Sequence, residues 1–137
     1  GWLLIELVEL PDQFGSAITS YGPGWIAIGG QRLEHSVVLH STGEHALWAC
    51  AGFDELTDAH FTPLAELRPE LVLFGSGAAL RFPRPAWVRR LIEAGIGVET
   101  MDTGAACRTY NILAGEGRRV VAALLVEPGK LETDRLE

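Results

Sequence analysis

Leu71-Val72-Leu73-Phe74-Gly75-Ser76-Gly77 is the stretch on which the fold turns. Four consecutive apolar residues suit a strand covered on both faces, because a strand with one wet face alternates apolar and polar positions. Gly75-Ser76-Gly77 then breaks the run with a turn. Downstream, residues 85–94 read as a helix. Pro85 suits its first turn, Val88, Leu91 and Ile92 form an apolar stripe, and Gly95 stops it. Residues 97–101 read as the next strand. Asp102 and Thr103 are both good N-caps for a helix over 104–114, whose inner stripe is Ala106, Tyr110 and Leu113 and whose stop is Gly115. Residues 120–126 complete the series as a buried strand. Strand, helix, strand, helix, strand predicts parallel pairing through right-handed crossovers. The short link at 115–117 predicts that the last strand runs antiparallel to its neighbour.

Upstream the rhythm is β. Residues 15–21, 25–28, 33–40 and 45–50 are short extended segments. They are separated by Gly22-Pro23-Gly24, Gly29-Gly30-Gln31 and Ser41-Thr42-Gly43, the pattern of an antiparallel meander. Residues 57–67 read as a helix capped by Thr57 or Asp58 and stopped by Pro69.

The totals fit this plan. The chain has 137 residues, of which 47% are hydrophobic, enough for one self-sufficient core. Residues 12–126 are expected to form a single α/β domain. Residues 1–11 are expected to be an N-terminal segment in part vector-derived, and residues 127–137 a polar C-terminal tail that frays. The net charge of −7, from 18 acids against 11 bases, opposes non-specific contact with nucleic acid. Cys50 and Cys107 belong to no CxxC pair, so free thiols in a reducing compartment are expected, with no metal and no cofactor. No stretch is long enough for a membrane-spanning helix, and a cytoplasmic location is expected. Oligomeric state stays open.

Strand order places the candidate site. Gly75-Ser76-Gly77 and Asp102-Thr103 each follow a buried strand, and ligands of open α/β sheets sit outside such carboxyl ends. If the strands are neighbours, the loops share a crevice. Glycine amides and a helix N-terminus together suit an anion, with Arg81, Arg84 and Arg108 able to add charge. The plainer reading is a permissive turn beside an ordinary helix cap. The glycine loop lacks the lysine of a phosphate-binding loop, the third glycine of the dinucleotide fingerprint and the outer glycine of a nucleophile elbow, so Ser76 is a weak nucleophile. The helix dipole and Arg108 favour a thiolate at Cys107, whereas its alanine-rich setting favours a small core residue, the preferred reading. His35, His40, His45 and His60 read as surface residues. Trp25, Trp48 and Trp87 read as core or interface, and Arg84, Arg89 and Arg90 as a solvated face.

The stretch Gly95-Ile96-Gly97-Val98-Glu99-Thr100-Met101-Asp102-Thr103-Gly104-Ala105-Ala106-Cys107-Arg108-Thr109-Tyr110-Asn111-Ile112-Leu113-Ala114 resembles the signature of a small domain family of unknown function. Glu116, Arg118 and residues 120–125 extend it. That family includes the mitochondrial complex I assembly factor three and uncharacterised bacterial and archaeal proteins. The resemblance also takes in Phe14-Gly15, Trp48 and the strand ending in Gly75-Ser76-Gly77, about residues 12–126 in all. It implies a three-layer α/β fold with a central mixed, mainly parallel sheet, helices and an added N-terminal antiparallel β-layer. It transfers no catalytic residue. Its motif positions here are Gly75, Gly77, Asp102, Thr103, Ala106, Tyr110 and Asn111.

With Ser76, Cys107 and Arg108, the crevice expected from sequence comprises Gly75, Ser76, Gly77, Asp102, Thr103, Cys107, Arg108, Tyr110 and Asn111. The expected function is a non-catalytic binding or protein-assembly factor with a protein partner. The alternative is a small-molecule protein or enzyme that takes an anionic ligand in the crevice between the 75–77 loop and the helix starting at Thr103.

Overall fold

The computed structural model describes residues 8–9 and 17–128. Residues 1–7, 10–16 and 129–137 lie outside them, and with these most of the expected N-terminal segment 1–11, most of the expected tail 127–137, Phe14-Gly15 and the start of the first extended segment. Two sheets form. A four-stranded antiparallel sheet has the order β1 (Val8–Glu9), β2 (Ile18–Gly22), β3 (Trp25–Ile28), β4 (Gln31–Leu33). A five-stranded sheet contains β5 (Val37–His40), β6 (His45–Leu47), β7 (Leu71–Gly75), β8 (Gly97–Met101) and β9 (Val120–Leu124), in the order β6-β5-β9-β7-β8.

β7 is buried at every position, as its unbroken apolar run requires. It lies between β8 and β9 and runs parallel to both, whereas β9 runs antiparallel to β5 on its other side. The central sheet is therefore mixed, with two parallel and two antiparallel pairings. The short link before β9 does not make it antiparallel to β7. Helix α3 (Thr103–Gly115) already carries the chain back past β7, so the link only has to turn into the strand.

Alternation along β7 and β9 divides the interior. Val72, Phe74, Val121, Ala123 and Leu125 face α1 (Asp58–Phe61) and α2 (Pro85–Glu93), in a cluster with Trp48, Phe61, Leu64 and Leu91. Leu71, Leu73, Val120, Ala122 and Leu124 face the opposite way. There they meet Ala106, Cys107 and Tyr110 of α3, and Ile18, Ile26 and Ile28 of the meander. The result is three layers: helices α1 and α2, the mixed sheet, and α3 with the antiparallel sheet.

Three local expectations change. The segment read as one strand over 33–40 is two strands in different sheets. Leu33 closes the meander, and residues 34–36 carry the chain across. Ser36 anchors the crossing, because its buried Oγ accepts from Val126 N at 3.0 Å and its carbonyl accepts from Trp48 N at 2.9 Å. The segment 57–67 starts as expected, with Thr57 Oγ accepting from Ala59 N, but its α-helix stops at Phe61 and continues as a 3₁₀ helix, Thr62–Leu67. Pro63 has no N–H for the i−4 carbonyl, so the α ladder is interrupted there rather than at Pro69. In α2 the buried side is Trp87, Val88 and Leu91, whereas Ile92 is exposed. The helix turns its Trp87 side toward α1, where the Trp87 ring stacks on Phe61 at 6.1 Å.

Candidate functional site

Parallel register brings the two candidate loops together. Gly75 lies opposite Met101 of β8 on one side and Leu124 of β9 on the other, so the chain leaves all three strands at one rim. Thr103 joins them there. Its N–H donates to Gly77 O at 2.9 Å, and its Oγ1 accepts from Gly77 N at 2.8 Å while donating to Leu125 O at 2.7 Å. One hydroxyl thus braces the ends of β7, α3 and β9.

Replacing Thr103 with valine keeps the shape and removes the brace. Gly77 N and Leu125 O both lose their partner, at about 1–3 kcal/mol for each buried group left unpaired. Thr103→Val is expected to lower stability by about 3 kcal/mol in denaturant unfolding, with Thr103→Ser recovering most of it. A loss in Thr103→Val no larger than that in Thr103→Ser would show that the hydroxyl brace does not hold the junction.

Two amides of the expected anion nest are taken up within the protein. Gly77 N is taken by Thr103, and Ala105 N by Asp102 Oδ1 at 2.9 Å. The glycines serve close packing. A Cβ at Gly75 would lie 2.9 Å from Leu124 Cδ2 and 3.1 Å from Thr103 Cα. Gly77 has φ +97°, and a Cβ there would lie 2.5 Å from a Glu127 carboxylate oxygen. Ser76 is buried, and its hydroxyl donates to Ala79 O at 2.7 Å and accepts from Arg81 N at 3.0 Å.

The rest of the α3 motif holds layers together. Asn111 grips the main chain of Ile18 at the β2 irregularity, with Nδ2 donating to its carbonyl at 2.7 Å and Oδ1 accepting from its N–H at 3.1 Å. Tyr110 donates its hydroxyl to His40 O at 3.0 Å. Gly104 lets Tyr21 lie on the helix start, where a Cβ would be 2.9 Å from the ring, and Arg108 donates to the Tyr21 hydroxyl. Cys107 is fully buried, and burial pushes its thiol up to about 12, against the smaller opposing pull of Arg108. Desolvation thus outweighs the helix dipole and Arg108 on which the reactive-thiol reading rests.

Beside the Gly77–Thr103 junction opens a cavity of about 860 Å³. Its walls are the β2–β3 hairpin from Tyr21 to Ile26, residues 51–55, residues 77–78, residues 102–104 and residues 125–128. Of the sequence candidates, Gly77, Asp102 and Thr103 line it. Gly75, Ser76, Cys107, Arg108, Tyr110 and Asn111 do not.

Tyr21, Trp25 and Phe53 give the cavity an aromatic character, and Asp54, Glu55, Asp102 and Glu127 add carboxylates. Among the described residues no lysine, arginine or histidine lines it. Glu127, assigned to the polar tail by sequence, is held firmly. Its Oε1 accepts from Arg81 at 2.7 Å and its Oε2 from Phe53 N at 3.1 Å. Arg81 in turn lies 4.8 Å from the Phe53 ring. Sequence reasoning missed the hairpin tip, residues 51–55 and Glu127, since these segments lie far apart in the chain and meet only through tertiary packing.

Among the described residues no group of three or more side chains is arranged to hold a metal ion, and no helix is long and apolar enough to cross a membrane. Residues 18–125 match the family model described as "Protein of unknown function (DUF498/DUF598)". The chain is 37% identical to an uncharacterized protein of Rhodobacter capsulatus, over 85% of this chain and 89% of that one. It is 34% identical to human NADH dehydrogenase (ubiquinone) 1 alpha subcomplex assembly factor 3, over 91% of this chain and 68% of that one. The solution structure of a Mth938-like domain from Bordetella pertussis is similar with a TM-score of 0.76 and 32% identity, covering 93% of this chain and 96% of that one.

Proposed function

From the premise that the chain belongs to the DUF498/DUF598 family, we propose that it is a non-catalytic binding or assembly factor for other proteins, like the respiratory complex I assembly factors. The observation that carries this reading is the extent of the similarity to the human assembly factor. It runs over 91% of the chain and therefore across both sheets and α3, the whole framework around the cavity. The proposed contact region is the rim of that cavity, including Gly77, Asp102 and Thr103.

The alternative of an anionic ligand is disfavoured by the wall chemistry. Four carboxylates line the cavity, and two of the amides that would meet an anion, Gly77 N and Ala105 N, are engaged by Thr103 and Asp102.

The test is recovery of the tagged protein at its native expression level, with quantitative identification of what accompanies it. A protein partner at near-stoichiometric level is the expected result. Recovery of the chain with background proteins only would overturn the reading.

A further inference from the structure

We propose that the cavity beside the Gly77–Thr103 junction receives a cationic segment of a partner protein, with an arginine guanidinium as its anchoring group. This rests on the protein-binding reading above and names the chemistry of the partner. Three observations carry it.

The first is charge. Asp54, Glu55, Asp102 and Glu127 all line the cavity, and among the described residues no cationic side chain lines it. Glu127 is neutralised by Arg81, but Asp54, Glu55 and Asp102 form no ion pair among the described residues. Asp102 Oδ1 caps Ala105 N and Glu55 Oε1 accepts from Ala51 N at 2.9 Å, contacts that hold both carboxylates in place. An incoming cation therefore meets fixed negative charge, whereas an incoming anion meets repulsion.

The second is the aromatic wall. Tyr21, Trp25 and Phe53 are the side chains to which a planar, weakly hydrated guanidinium adheres best. These rings already hold guanidinium groups of the chain itself. Arg32 lies 4.4 Å from the Trp25 ring, Arg81 4.8 Å from Phe53 and Arg108 5.9 Å from Tyr21. None of these arginines is among the residues lining the cavity.

The third is size. About 860 Å³ exceeds what one guanidinium fills and suits an arginine together with flanking apolar side chains. A flat acidic patch would bind any cation weakly and at the surface. Here the carboxylates lie beside apolar surface, so a partner gains both burial and charge pairing.

The experiment uses two neutral-ended probes that differ only in charge, N-acetyl-arginine amide and N-acetyl-citrulline amide. Each is titrated into the isotopically labelled chain while amide shifts and the Trp25 indole signal are followed. The arginine probe is expected to shift Gly52, Gly77, Gly104 and the Trp25 indole saturably, at millimolar concentration. The citrulline probe should bind at least fivefold more weakly. The double substitution Asp54→Asn, Glu55→Gln, at two exposed residues, should weaken the arginine probe about tenfold and leave the thermal midpoint in place.

Equal binding of the two probes, shifts scattered over the surface, or no effect of the double substitution would each overturn the proposal. So would self-association of the chain that the double substitution abolishes, since the occupant would then be a second copy. The co-purification experiment reads the parent proposal separately. A partner that co-purifies while the arginine probe fails sinks the cavity assignment alone. Background proteins only sinks the protein-binding reading, and this inference with it.

Discussion

Replacing Phe74 with alanine is expected to lower the stability of the folded chain by about 4 kcal/mol, the usual cost of truncating a buried phenylalanine. Phe74 is fully buried near the carboxyl end of β7, a strand that pairs on both sides. Its ring meets Phe61 edge-on at 5.3 Å and Trp48 edge-on at 6.1 Å, and lies 6.4 Å from Phe53. Truncation therefore removes the hub that joins α1, the segment at 48–55 and the sheet, and backbone pairing to β8 and β9 prevents the strand from collapsing into the space. For a chain of this length the thermal midpoint should fall by about 14 °C. Phe74→Leu should lose less than half as much. A loss below about 1 kcal/mol for the alanine variant would show that this aromatic cluster is not a packed core. Since Phe53 also lines the cavity, Phe74→Ala should weaken any ligand bound there.

Alkaline pH should unfold the protein through its buried thiols. Burial pushes Cys107 up to about 12 and Cys50 up to about 11, and it pushes Tyr110 up to about 12. For Cys50, a hydrogen bond with Ser36 works against the larger effect of burial, while Glu55 and Glu127 add to it. In the unfolded chain a thiol ionises near pH 8.5 and a tyrosine near pH 10. The folded state therefore holds protons that the unfolded state has released, and stability falls as pH rises. The contribution is intact below the unfolded thiol value and is lost progressively up to the folded one. Each thiol contributes a slope of up to about 1.4 kcal/mol per pH unit in that window, so from pH 9 to pH 11 the two together should cost about 5 kcal/mol.

Urea unfolding at a series of pH values measures this directly. Cys107→Ala should remove about half of the dependence. A flat profile between pH 9 and 11 would mean that the thiols are not shielded as the structure has them. The same burial predicts that thiol reagents modify Cys107 only as fast as the chain opens, which separates a core cysteine from a reactive one.

Several parts of this molecule were legible from local pattern. The apolar run at 71–74 can satisfy its side chains only when covered on both faces, and it is an interior, fully buried strand paired on both sides. Pro85 and Gly95 bracket α2 because each has a backbone preference that acts wherever it stands. Asp102 caps α3 through its own side chain, within three residues of its partner. The family signature at 95–114 followed from residue identity, and the family match over residues 18–125 agrees with it.

What the sequence determined by itself was therefore what short-range physics decides: where strands and helices start and stop, which turns glycine permits, and that the second half alternates strand and helix. Tertiary structure alone decided the rest. It split residues 33–40 between two sheets, a choice invisible to an alternating pattern because either sheet buries the same side chains. It placed β9 between β5 and β7, since pairing partners depend on contacts far apart in the chain. It engaged the Gly77 amide with the Thr103 hydroxyl and opened the cavity instead among Tyr21, Phe53, Asp102 and Glu127, whose 107-residue span no local signal bridges. Periodicity records which face of an element is buried but not what it is buried against, and a site assembled from loops of different layers depends on the second fact.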